Sequence, residues 1–357
     1  MTLQNIFSII GGYCQQKVLS LQCYQRPIWL KSIPAGNGTD ARITNSDQIT
    51  MTVKEIFEMR KQGRIEEAYD AIRPMYAAHK GFHTTLCMFW TANDVLKKRI
   101  GEKRLSEAER ILMALLRVLP RLTDEEGTAH MAFLRSSLLL AKAYGFDVLE
   151  VVSKMEVEKL PEDAWEDYED KNHRPMPSPA LQLLTLAHLH LKREPTVGRA
   201  LQMMPLLQLA VSRYPEGEDV RRYSAFVYMI MGEPTKAISL YNKILQHRHE
   251  PRLYAELADI IDDPYYKAGL LCKAIEHESR EAYRTGYRLD LAQLLLGKED
   301  GHAAYELQRC IANRQSQGSP LSCQMLAMQA RLQGVAPATE AEQQAFYRKV
   351  TSQNHVV

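Results

Sequence analysis

The stretch Met231–Leu245, MGEPTKAISLYNKIL, decides the fold. Gly232 supplies a residue suited to a chain reversal, and Ala237, Tyr241 and Ile244 follow it with the spacing of a single helical face. Side chains four and seven positions beyond an alanine stand in line with it, so the alanine lets a preceding helix come close and the larger residues fill the groove farther along. That is one half of a helix pair, and the question is whether it recurs.

It recurs in three other places. GRIEEAYDAIRPM from Gly63, KRLSEAERILMALLRVLP from Lys103 and DPYYKAGLLCKAI from Asp263 align on Ala68, Ala108 and Ala268. The aligned position beyond them holds Ile72, Leu112 and Cys272, and the next holds Met75, Leu115 and Ile275. Gly63 stands where Gly232 stands, Pro120 ends the helix of Ala108, and Pro264 interrupts the apolar run ending at Ile261. Upstream of Gly232, Tyr223–Met231 with Ala225 and Tyr228 reads as the first helix of the same pair.

These residues resemble the tetratricopeptide repeat, a helix pair of about 34 residues with small and aromatic residues at set positions. Residues 221–250 carry the pattern best, in Ala225, Tyr228, Gly232, Ala237, Tyr241 and Ile244, with Ile244 in place of the usual alanine and the terminal proline displaced to Pro251. Residues 89–120 keep Ala108, Leu112, Leu115 and Pro120 but place Arg99 where the aromatic belongs. The resemblance implies an all-α fold, a TPR-like α-solenoid of stacked antiparallel helix pairs in a right-handed array, and a repeat surface that binds a protein or peptide.

Other parts of the chain are less regular. A helix over 281–296 carries Tyr283, Tyr287, Leu291 and Leu294 and leads to Ala303, Leu307 and Cys310; a last helix near 321–333 precedes a polar segment expected to cap the array. An apolar helix over 128–143 precedes an acidic, proline-rich insertion near 145–178, after which helices over 178–192 and 195–213 restore the pattern. Residues 1–50 show no sustained helical period and read as a poorly ordered tail or a mis-called extension, with Met51 as the functional start. The helical-repeat domain is then 51–351 and the last residues, 352–357, a disordered tail.

Composition narrows the function classes. Lys plus Arg number 45 and Asp plus Glu 43, so the net charge of +2 supplies no global field toward nucleic acid or an acidic membrane. The six cysteines include no close C-x-x-C pair, which points to buried free thiols rather than a zinc knuckle or disulfide scaffold. No apolar run is long enough to span a bilayer and no signal peptide is evident, so the expected location is the cytoplasm. Metalloprotease, Walker, dinucleotide-binding and nucleophile-elbow patterns are not found, and no catalytic, cofactor or metal residue is assigned. His188 and His190 lie about 200° apart on their helix and cannot readily face one metal. His247, Arg248 and His249 stand at a helix end, where cations suit the terminal carbonyls.

Two groups are candidates for partner contact. Trp165 and Tyr168, amid the carboxylates of Pro161–Asp170, have the spacing to share a helical face and anchor a basic partner; alternatively Trp165 packs inward and pins the insertion. Arg221, Arg222, Arg248 and Arg252 could line successive turns of a basic groove. The expected function is a non-enzymatic adaptor or scaffold holding an unidentified protein or peptide, with no cofactor and no membrane contact. The alternative is a nucleic-acid-associated accessory factor or enzyme that uses a basic groove or the insertion.

Overall fold

The structure, a computed structural model, describes residues 51–170 and 172–352. The tail expected over 1–50, and all of the expected C-terminal tail except Ser352, lie outside the described residues. The chain is an all-α solenoid of consecutive helix pairs. In order, α1 (Val53–Lys61) pairs with α2 (Ile65–Ala78) and α3 (Phe82–Gly101) with α4 (Leu105–Val118). Next come α5 (Thr128–Tyr144) and the short α6 (Leu149–Lys154), which packs on α8. Then α7 (Pro179–Arg193) pairs with α8 (Val197–Arg213), α9 (Glu218–Ile230) with α10 (Pro234–Leu245), α11 (Pro251–Ile260) with α12 (Pro264–His277), and α13 (Glu281–Leu295) with α14 (Asp300–Ser316). The last helices are α15 (Cys323–Arg331) and α16 (Glu340–Ser352).

The aligned alanines open the second helices, and all of them are buried: Ala68 in α2, Ala108 in α4, Ala237 in α10 and Ala268 in α12. Their larger companions are buried with them, apart from Met75, which is half-buried. Ala200 in α8 and Ala303 in α14 extend the series, and Ala303, Leu307 and Cys310 are all in the core. Local signals agree with the helix starts. Proline occupies the first turn of α7, α10, α11 and α12, where its missing N–H costs nothing. Thr52 and Glu55 cap α1 reciprocally, with the Glu55 amide donating to Thr52 Oγ1 at 3.3 Å and the Thr52 amide donating to Glu55 Oε2 at 2.6 Å.

Three turns within pairs are built alike. Gly63, Lys103 and Gly232 are left-handed, at φ 81°, 59° and 76°. The following amide reaches back into the preceding helix, Arg64 to Met59 O at 3.0 Å, Arg104 to Arg99 O at 2.9 Å and Glu233 to Tyr228 O at 2.9 Å. A lysine therefore stands where glycine suits the backbone. Arg99 of α3 has a side chain only 11% exposed and donates to Glu66 on α2 at 2.7 Å and to Glu107 on α4 at 3.1 Å. It ties neighbouring pairs by charge.

Between α6 and α7 the chain makes two 3-10 turns, Val157–Lys159 and Glu162–Trp165, and a two-stranded antiparallel hairpin of β1 (Tyr168–Glu169) and β2 (Pro175–Met176). Gly127, at φ 67°, begins α5 directly under this segment; a Cβ there would lie 2.7 Å from the Lys159 carbonyl oxygen. At the other end, the polar segment expected to cap the array forms α16, which returns to pack on α12. Gln343, Phe346, Tyr347 and Val350 give α16 one buried face. Glu306 of α14, fully buried, accepts from Arg288 at 2.8 Å, from Gln343 at 2.6 Å and from the Tyr347 hydroxyl.

Two hydrophobic clusters meet in α9, with Tyr223 and Val227 in the first and Ala225 in the second. Cys87, Cys272 and Cys310 are buried free thiols as expected, and Cys323 is exposed. Among the described residues no helix is long and apolar enough to cross a membrane.

Candidate partner-binding surface

Trp165 takes the inward position. It ends the second 3-10 turn at 6% exposure, 6.3 Å from the Tyr214 ring, with the Arg213 guanidinium 5.1 Å from its own ring centre. The Tyr214 hydroxyl donates to the Trp165 carbonyl. Tyr168 is 43% exposed and its hydroxyl accepts from Gln182 Nε2 at 3.2 Å. The two do not share a helical face, because the turn stops at Trp165 and Glu166 is already extended at φ −97°, ψ 137°. Asp167 holds that extended course by accepting from the Ser178 amide at 2.8 Å. Pro175, Pro177 and Pro179 keep Arg174, Met176 and Ser178 out of the helical region, which suits the extended β2 that pairs with Tyr168–Glu169.

The four arginines form no open basic groove, because each meets carboxylates. Arg222 of α9 donates to Glu256 of α11 through Nε at 2.7 Å and Nη2 at 2.6 Å, with both side chains nearly buried. Arg221 pairs with Glu216, Arg252 with Glu250 at 2.6 Å, and Arg248 with Glu218 at 3.1 Å, Asp219 at 3.6 Å and Glu250. Arg248 thus answers carboxylates rather than the terminal carbonyls of α10. Glu256 also receives Lys192 of α7 at 3.2 Å and the Tyr241 hydroxyl at 3.2 Å. Burial pushes the Glu256 carboxyl up, but Arg222 and Lys192 outweigh it and hold it at about 2. One carboxylate therefore ties three successive first helices.

The two histidines of α7 have separate surroundings, as their angular separation predicts. His188 is 3% exposed, stacked 4.4 Å from Tyr223 and edge-on to Phe226 at 5.0 Å, with neither ring nitrogen hydrogen-bonded. Burial lowers it to about 4, with Arg222 and Lys192 adding to the effect, so the ring is neutral near pH 7. Burial also lowers His190, against the attraction of Asp147.

The surface that the sequence reading did not single out lies at the centre. Helices α5, α7 and α8 contain no Asp or Glu. On the α8 side the cations are matched by carboxylates from flanking segments, Arg199 by Asp147 at 2.6 Å and Arg213 by Glu162. On the first helices they are largely unmatched. Arg135, Leu139 and Lys142 make one exposed stripe on α5, and Leu189, Lys192 and Arg193 make another on α7. Leu139 and Leu189 are 49% and 48% exposed. Lys142 donates to Gln182, which in turn donates to the Tyr168 hydroxyl, so the hairpin joins the two stripes. A charge census taken helix by helix, rather than over the chain, would have flagged this region.

The C-terminal part of the chain has a recognised counterpart. Residues 220–353, from within α9 to the end of α16, match a family described as a domain of unknown function (DUF7017). No curated protein matches the chain.

Proposed function

We propose that this protein is a non-enzymatic adaptor or scaffold of the tetratricopeptide type that holds a protein or peptide partner on its helical-repeat surface. The observation that carries the reading is the periodic linkage of first helices. Arg60 of α1 donates to Asp94 of α3 at 2.6 Å, a separation of 34 residues, and Arg222 reaches Glu256 across the same separation of 34. That is the repeat length of the tetratricopeptide unit, and such arrays present their helices side by side as an extended binding face. Exposed Leu139, Leu189 and Tyr283 on first helices provide apolar contact area of the kind partner surfaces use.

The test is affinity purification of the full chain from native lysate, with and without nuclease. A protein recovered in constant ratio after nuclease treatment is the expected result. Recovery of nucleic acid alone would overturn the reading in favour of a nucleic-acid-associated factor.

A further inference from the structure

We propose that the exposed face of α5 and α7, with Tyr168 of the hairpin between them, is a docking surface for an acidic protein segment that carries apolar side chains among its carboxylates. The inference rests on the adaptor reading and names the partner's chemistry. It begins from charge. Arg135, Lys142, Lys192 and Arg193 are exposed on two adjacent helices that hold no carboxylate of their own. Arg135 and Arg193 make no ion pair or hydrogen bond among the described residues, Lys142 meets only the neutral Gln182, and Lys192 shares Glu256 with Arg222 while remaining 51% exposed. Arg221, Arg222, Arg248 and Arg252, by contrast, are all paired.

The insertion sharpens the contrast. Residues 156–170 are rich in Asp and Glu, yet their ion pairs go to Arg213 on α8, to Lys159, to the buried His130 of α5 and to the hairpin's own His173 and Arg174. The chain's acidic segment thus pairs with none of the four exposed cations of α5 and α7. Between the open cations stand Leu139, Tyr168 and Leu189, each more than two-fifths exposed. Cations alone would suit a polyanion of any kind, and nucleic acid would be read by stacking on several aromatic rings. Here the spine is mainly aliphatic, which suits leucine- or phenylalanine-bearing acidic segments: carboxylates on the rim steer the encounter and apolar anchors hold it.

The probe is a fluorescein-labelled synthetic peptide that alternates Glu and Asp with Leu and Phe, titrated against the full chain by fluorescence anisotropy. Controls are a Glu/Asp peptide of equal charge without apolar residues, and a labelled single-stranded oligonucleotide of equal charge. The expected result is binding of the first peptide that weakens with salt and drops about tenfold in Arg135→Glu/Arg193→Glu and in Leu139→Ser/Leu189→Ser. Arg331→Glu, an exposed reversal on α15, should leave it unchanged. All variants alter exposed side chains, and unchanged thermal unfolding verifies that they fold. Equal affinity across the variants, no binding of the peptide, or stronger binding of the oligonucleotide would overturn the proposal. If a partner is captured from lysate equally well by wild type and by the Arg135→Glu/Arg193→Glu variant, the adaptor reading stands and this surface is wrong.

Discussion

The pairs around α9 and α11 and the centre around α5 and α7 join their first helices in different ways. In the regular pairs the linkage is ionic and repeats at 34 residues, as Arg222 to Glu256 does. At the centre it is mostly neutral and the separations lengthen: Ser136 donates to Asn93 across 43 residues, Lys142 to Gln182 across 40, and Thr185 meets the Tyr223 hydroxyl across 38. The 3-10 turns and the hairpin fall within the span from Lys142 to Gln182. Where the separation is 34, Arg60 and Arg222 hold neighbouring first helices together. At the centre, Arg135 and Arg193 face outward with no carboxylate beside them.

The largest expected effect breaks the ionic linkage. Arg222→Leu leaves Glu256 nearly buried with only the half-exposed Lys192 and the Tyr241 hydroxyl, and should lower unfolding free energy by about 3–5 kcal/mol. Removing an open cation at the centre, as in Arg135→Leu, should change it by less than about 0.5 kcal/mol. Urea unfolding of both variants measures the difference. Equal effects would mean that the two regions do not differ in how their charges are used.

The next effect concerns pH at the join between the two regions. His188 has its folded value lowered to about 4, against about 6.5 in an unfolded chain. Between those values the unfolded state binds the extra proton, so the stability contributed by the neutral ring is complete above about pH 6.5 and is lost as pH falls toward 4. The loss should approach about 3 kcal/mol by the lower limit. His188→Phe keeps the stacking on Tyr223 and Phe226, and should flatten this part of the stability profile. A variant profile parallel to wild type would assign the acid sensitivity to other groups.

The smallest effect lies in the turns. Lys103→Gly should stabilise the chain by about 0.5–1 kcal/mol, because a left-handed backbone is strained for lysine and open to glycine. Gly232→Ala at the equivalent turn should cost about 1 kcal/mol, although a Cβ there meets nothing within 4 Å. Thermal unfolding of the two variants should move in opposite directions; movement in the same direction would mean that the turns are not equivalent.

Much of the helical order was legible because its signals are local. Ala237, Tyr241 and Ile244 sit within two turns of one helix, and their spacing alone fixes the buried face. The charge partners were not legible, since nothing near Arg222 points to Glu256, which becomes a neighbour only once two pairs have stacked. The pairing of Trp165 with Tyr168 failed for another reason: three residues are a helical spacing only if the helix continues, and here it stops at Trp165 and Tyr168 enters a hairpin. Helix α16 was hidden in a polar segment because much of its docking is polar, with Gln343 and Tyr347 both directed at Glu306.

That last helix has a consequence for how the protein is made. Helix α12 and Glu306 of α14 leave the ribosome before α16 does, so Glu306 emerges with Arg288 beside it and without Gln343 and Tyr347. The core around Glu306 therefore stays open until α16 has been made, with apolar surface exposed, the state in which helper proteins bind nascent chains. The N-terminal pairs can stack as they appear.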